Sequence, residues 1–242
     1  MFHPQGPTFW ELARQALSST EQGYDLLAPK FDYTPFRTPE EILDGMAKVL
    51  GPPRSIDNGL DIACGTGAAI RILRPLCRRR VVGIDFSQGM LDQARKNLEA
   101  AEVEQSCPVE FVQGEILHLP FENEFDLALT VGSLGHVPRG KESEFVGQVA
   151  KALRPGGRFA LVTANMPPLT SPAWWAARTF NGAMHLRNLL VRPPFIMFYL
   201  TFLLPETKRL LSEHGFKVEV HDDLFARPFR GLKMVVGTKI AV

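Results

Sequence analysis

Two carboxylates and a pair of glycines are the residues best placed to do chemistry. Leu60-Asp61-Ile62-Ala63-Cys64-Gly65-Thr66-Gly67 reads as a short apolar strand that runs into Gly-x-Gly and then into a helical pattern. Such a loop presents backbone N–H groups at the carboxyl edge of a sheet, and glycine lets a ligand approach the chain closely. Asp85 ends the next strand, about 20 residues on, where a carboxylate accepts hydrogen bonds from both hydroxyls of a ribose. A pyrophosphate-bearing nucleotide is one occupant for such a loop, but two features oppose it. The third glycine of the G-x-G-x-x-G fingerprint is replaced by Ile70. Asp61, beside the loop, would repel a phosphate and attract a ligand carrying an ammonium group and a sulfonium.

The elements that must hold these residues follow from the pattern of apolar runs. Strands are expected near Gly59 to Ala63, Val81 to Asp85, Val109 to Gln113, Phe125 to Thr130 and Arg158 to Thr163. Helices are expected near Ala68 to Leu76, Gly89 to Glu99 and Lys141 to Leu153, the last stopped by Arg154-Pro155-Gly156-Gly157. The alternation predicts an α/β, Rossmann-like, doubly wound fold with a mostly parallel seven-stranded sheet. Residues 1–50, whose helical spacing is broken by Pro29, Pro35 and Pro39, form an N-terminal helical cap. Residues 51–164 form the core, 165–204 a helical insertion rich in aromatics and Met after the fifth strand, and 205–242 the end of the sheet. All four belong to one domain.

Composition narrows the function classes. A chain of 242 residues with 45% hydrophobic content builds one sizeable core. A net charge of +1 gives no field to gather nucleic acid, and Arg78-Arg79-Arg80 reads as a solvated helix end. Three cysteines without CxxC spacing indicate neither a metal site nor a disulfide framework, which suits a reducing cytoplasm. The first residues, Met1 to Pro7, lack the basic and apolar segments of a signal peptide. The longest uncharged apolar run, Phe195 to Leu204, is about half of the roughly 20 residues that a membrane-spanning helix needs. No membrane span and no metal are expected.

These motifs resemble the class I S-adenosylmethionine-dependent methyltransferases, in particular the branch that includes ubiquinone- and menaquinone-biosynthesis enzymes. The glycine loop is similar to the family's first motif and Val82-Gly83-Ile84-Asp85-Phe86-Ser87-Gln88-Gly89-Met90-Leu91 to its second. Gln113-Gly114-Glu115-Ile116-Leu117-His118-Leu119-Pro120-Phe121 is similar to the adenine segment, with Glu115 and Ile116 in place of the usual Asp and Ala. Phe125 to Thr130 and Leu153 to Gly157 complete the series. The resemblance implies S-adenosyl-L-methionine as cofactor. It would lie with its methionine part against Gly65 and Gly67, its amino-acid end at Asp61 and Ala63, its ribose at Asp85, and its adenine between Phe86, Met90 and the Gly114-Glu115-Ile116 edge. Thr66, Thr130 and Ser133 belong to the same expected set. Tyr24 is placed near the methionine end by Tyr24-Asp25-Leu26-Leu27-Ala28, similar to an N-terminal segment that folds over the cofactor.

A sulfonium is already a good leaving group, so transfer needs mainly alignment and exclusion of water. Where the nucleophile must lose a proton, His136 after the fourth strand is the candidate general base, with a role in shaping the pocket wall as the alternative. The aromatic insertion suits a hydrophobic or lipid-like small-molecule acceptor, and leaves peripheral membrane contact and a homodimer open. Arg187 and Arg192 flank it, either to meet an acidic group or as solvated surface residues. Two other functions stay open: a cofactor-binding protein without transfer activity, and, less in keeping with Ile70 and Asp61, a nicotinamide-dependent oxidoreductase.

Overall fold

A computed structural model of the chain describes residues 3–101 and 107–241; Met1 and Phe2, at the head of the N-terminal run read above, lie outside them. The chain begins with three helices, α1 (Phe9–Leu17), α2 (Thr20–Leu27) and α3 (Glu40–Leu50), with a 3₁₀ turn at Ala28–Tyr33. It continues through β1 (Ile56–Ile62), α4 (Ile70–Leu76), β2 (Cys77–Asp85), α5 (Gln88–Ala100), β3 (Val109–Gln113) and β4 (Phe125–Thr130). Next come α6 (Glu142–Ala152), β5 (Leu153–Ala164), α7 (Pro172–Leu190), α8 (Leu204–Glu213), β6 (Phe216–His221) and β7 (Leu232–Lys239).

The seven strands lie in the order β3-β2-β1-β4-β5-β7-β6, with β7 antiparallel to both its neighbours and the other pairings parallel. Period-two alternation divides the strand residues between two cores. Leu60, Ile62, Val82, Ile84, Ala128 and Phe159 face α6 and α8. Val81, Leu127, Leu129, Ala160 and Met234 face α3 and α4. The chain winds outward from β1 through β2 to β3 and then crosses back to place β4 on the other side of β1, so the carboxyl end of β1 is the topological switch point where open α/β sheets bind ligands.

Two expectations change. Arg78, Arg79 and Arg80 do not end a helix, because Pro75 and the buried Cys77 bring the chain into β2 four residues earlier than expected. They pair instead with carboxylates on neighbouring strands and turns: Arg78 with Asp57 at 2.8 Å and Arg80 with Glu124 at 2.6 Å. The Arg154-Pro155-Gly156-Gly157 turn is absorbed into β5 as an irregularity opposite Phe125 and Leu127, with Gly156 at φ +78°. Among the described residues, no helix is long and apolar enough to cross a membrane.

Candidate functional site

The carboxyl ends of β1, β2 and β4 open into a cavity of about 330 Å³. The loop after β1 turns there through three residues with positive φ, Ala63 at +55°, Gly65 at +53° and Gly67 at +86°. A side chain at Gly65 would meet nothing within 4 Å, so the space beside this backbone is open. At Gly67 a Cβ would lie 3.4 Å from that of Ala94 on α5, and the left-handed backbone itself disfavours any side chain.

Asp85 braces the loop. One carboxylate oxygen accepts the Gly65 N–H and the other the Ser87 N–H, each at 2.9 Å. Burial pushes its pKa up to about 6, with the two amide donors opposing and Asp25 and Glu115 adding to the rise. Each oxygen retains a second lone pair for a ligand.

Asp61 differs. It is only 2% exposed, and its Oδ2 is buried with no hydrogen-bond partner. Burial first and Asp85 second push its pKa up to about 8. Leaving a buried carboxylate oxygen unpaired is costly unless a ligand satisfies it. The charged lining comprises Glu21, Asp61, Asp85 and Glu115, with His136 and no Lys or Arg. Such a cavity repels phosphate and accepts a cation.

The N-terminal cap closes the cavity by two carboxylates whose partners lie far away in sequence. Asp25 Oδ1 accepts the Ser87 hydroxyl at 2.6 Å and the Gly89 N–H at 2.9 Å, capping the positive end of α5. Asp32 accepts the Thr66 hydroxyl at 2.6 Å and the Asn97 side-chain amide at 2.8 Å. This brings Tyr24 over the cavity, with its ring stacked on Phe195 and edge-on to Phe86 and His136.

His136 lies in a 3₁₀ turn, Leu134–His136. Its Nδ1 is 2.6 Å from the Ile196 carbonyl and its Nε2 is 2.8 Å from the Tyr24 hydroxyl. A carbonyl only accepts, so Nδ1 carries the proton, Nε2 is bare and Tyr24 donates to it. Burial lowers the His136 pKa and raises that of Tyr24, which keeps both groups neutral.

Of the residues expected from sequence, Tyr24, Asp61, Ala63, Gly65, Thr66, Asp85, Phe86, Met90, Glu115, Ile116, Ser133 and His136 line this cavity. Gly67, Gly114 and Thr130 do not. Gly67 faces a second cavity behind the loop. Gly114 packs on Ile84, where a Cβ would come within 2.8 Å of the side chain. Thr130 is buried and donates to the Ile62 carbonyl at 3.1 Å, with Ser133 Oγ 2.5 Å away. Phe31, Phe36, Thr38, Leu117, Val131, Pro138, Pro194 and Ile196 also line the cavity. Of these, Leu117 stood in the segment quoted with Glu115 and Ile116; Pro194 and Ile196 come from the insertion.

Within the insertion, Arg187 departs from both readings offered for it. It meets neither an acidic group nor solvent alone, and donates to the backbone carbonyls of Ala16, Ser18 and Pro193.

Residues 60–157 match the model of a family described as a methyltransferase domain. The demethylmenaquinone methyltransferase of Lactobacillus johnsonii is 28% identical over 125 residues, 49% of this chain and 49% of its own length. The 24-methylenesterol C-methyltransferase 2 of Arabidopsis thaliana is 32% identical over 101 residues, 41% of this chain and 27% of its own. The chain thus spans about half the length of the first of these curated relatives and less of the second. Among solved structures, the YcgJ protein of Bacillus subtilis superposes with a TM-score of 0.60 at 19% identity, covering 84% of this chain and all of that one. The magnesium protoporphyrin IX methyltransferase of Synechocystis, solved with bound S-adenosylhomocysteine, gives 0.59 at 14% identity and covers 96% of this chain and 94% of its own. At such identities the likeness is one of fold.

Proposed function

We propose that this chain, which belongs to the class I S-adenosylmethionine-dependent methyltransferases, transfers a methyl group to an apolar or aromatic small molecule. The observation that carries the reading is Asp61 Oδ2, a buried and unpartnered carboxylate oxygen in a cavity whose lining holds four carboxylates and no Lys or Arg. S-adenosylmethionine brings an ammonium, a sulfonium and no phosphate, and so fits these residues. Bound there, it supplies an electrophilic methyl group on a good leaving group.

The residues of the chain would divide the work as follows. Asp61 takes the ammonium and Asp85 the ribose hydroxyls, while Phe86 and Met90 cover the adenine beside Glu115 and Ile116. Ala63, Gly65, Thr66 and Gly67 shape the loop around the methionine part, and Gly114, Thr130 and Ser133 hold the backbone behind it. Tyr24, Phe195 and the cap keep water from the reacting atoms. An acceptor that must lose a proton hands it to Tyr24 Oη while Tyr24 passes its own proton to His136 Nε2, so the pair serves as one base.

The acceptor's character is supported by the remaining wall, formed by Phe31, Phe36, Leu117, Val131, Pro138 and Ile196. Two relatives carry names that point to a quinone and a sterol acceptor, both apolar.

Calorimetry with S-adenosylmethionine, S-adenosylhomocysteine and NAD tests the reading. Binding of the adenosyl ligands alone supports it, whereas NAD binding without them overturns it. An acceptor screen with labelled methyl groups across quinone precursors, phenols, sterols and small amines then seeks the substrate. Tight cofactor binding with no transfer to any acceptor would favour a binding protein over an enzyme.

His136→Gln is expected to lower turnover by about a hundredfold or more, the range of general-base contributions, and to leave S-adenosylhomocysteine affinity nearly unchanged. Tyr24→Phe should lower it comparably, and the double variant no further, because the two groups share one proton path. Additive losses in the double variant would separate them.

A further inference from the structure

Helix α7 is apolar on both sides. Its half-buried side carries Trp174, Phe180 and Met184 together with Asn181, Arg187 and Asn188, and these last three bond backbone. Asn181 pairs with both the N–H and the carbonyl of Tyr199, Asn188 does the same with Phe195, and Arg187 reaches the carbonyls that flank Leu17. No residue of α7 is buried. Its outward side also carries large apolar residues: Trp175 is 60% exposed, Leu186 58%, Leu189 74% and Leu190 73%. Leu17 and Trp10 of α1 are exposed to 63% and 79%. A water-facing helix normally turns a polar face outward.

Charge says what covers this face. Residues 165–205 contain Arg178, Arg187 and Arg192 and no Asp or Glu, in a chain with 27 basic and 26 acidic residues overall. Arg187 is held by backbone carbonyls, which leaves Arg178 and Arg192 exposed; a second copy seated on α7 would bring these against their equivalents, with no carboxylate in the segment to pair them. Anionic headgroups supply that counter-charge, and the interfacial layer accepts Trp and Leu.

We propose that the outward face of α7 docks on an anionic lipid surface, with the helix lying in the interface. The inference rests on the apolar-acceptor reading and gives it a route. Asn188 ties α7 to the strap at Phe195, and the neighbouring Pro194 and Ile196 line the cavity. An acceptor dissolved in lipid would thus reach the site along the docked side.

Flotation of the full chain with vesicles of phosphatidylcholine, with and without phosphatidylglycerol, tests the proposal. The protein is expected to float with the anionic vesicles and to be released by high salt. Leu189→Ser with Leu190→Ser should weaken binding by about tenfold or more. Arg178→Glu with Arg192→Glu should abolish the preference for anionic lipid. Circular dichroism melts of both variants should match the parent, because the altered side chains are exposed. Failure of the parent to float, or unchanged binding by the leucine variant, overturns the docking. So does a dimer in sedimentation that the leucine variant dissociates. Calorimetry with S-adenosylhomocysteine, without vesicles, separates the two claims: cofactor binding without flotation sinks the docking alone, and flotation without cofactor binding sinks the methyltransferase reading.

Discussion

Asp85→Ala is expected to weaken S-adenosylhomocysteine binding at least about a hundredfold, because it removes two hydrogen bonds to a charged acceptor worth about 1.5–3 kcal/mol each. The same side chain holds the Gly65 and Ser87 N–H groups, so the variant also loosens the loop that faces the methionine part. Asp85→Asn removes half of each effect. Its amide oxygen keeps one backbone N–H and one ribose hydroxyl while its NH2 group accepts neither of the others, and its loss should fall between the parent and the alanine variant. Titration calorimetry measures both affinities, and thermal melts without ligand show how far each loop has loosened. An alanine variant that binds with parental affinity would remove Asp85 from the ribose site and with it the assignment of β2 to the adenosine half of the ligand.

The sheet was largely legible because its strands are short apolar runs bounded by turn residues. Val109–Gln113 and Phe125–Thr130 lie where the pattern puts them. At β2 the pattern misled: three consecutive arginines look like a solvated helix end, yet the amino end of an inner strand holds such residues when carboxylates stand on the adjacent segments, as Asp57, Glu110 and Glu124 do. Pairing across strands has no local signature. The same holds for Asp25 and Asp32, which bond Ser87 and Thr66 across gaps of 62 and 34 residues. Their neighbour Tyr24 could be read from its segment, but the reason it sits over the cavity could not.

The insertion shows a different limit. Aromatic and Met content marks residues 165–204 as apolar, but composition is blind to which side of a helix faces inward. The bonds of Asn181, Arg187 and Asn188 to backbone show that α7 turns these hydrogen-bonding side chains toward the protein, while Leu186, Leu189 and Leu190 stay exposed. The strap that follows does what the sequence assigned to the whole insertion, since Ile196 reaches both the cavity wall and His136. His136 itself stood out as a lone histidine in a loop after β4. Its tautomer, and hence its capacity to act as a base, is set by a carbonyl 60 residues away.

Asp61 gives the strongest expected pH dependence. Its pKa in the folded chain is about 8, against 3.8 for an unperturbed carboxyl. The native state therefore holds this proton more tightly than the unfolded chain does, and stability falls as pH rises through that window and levels off above it. The loss is on the order of a few kcal/mol. Asp61→Asn should flatten this slope, so that the variant gains on the parent between about pH 4 and pH 8. A cationic ligand inverts the preference, since an ammonium beside Asp61 favours the carboxylate. Binding below about pH 8 should then release a proton. S-adenosylhomocysteine is the better probe because it lacks the sulfonium that acidifies the amino group of its methylated counterpart. Its affinity should rise by up to about tenfold per pH unit toward that value. The calorimetric heat should vary with the ionisation enthalpy of the buffer, and both effects should vanish in Asp61→Asn together with much of the affinity. Heats that are the same in every buffer, with an affinity flat in pH, would mean that Asp61 is not the group that meets the ammonium. The unpaired oxygen would then have to be satisfied by some other part of the ligand.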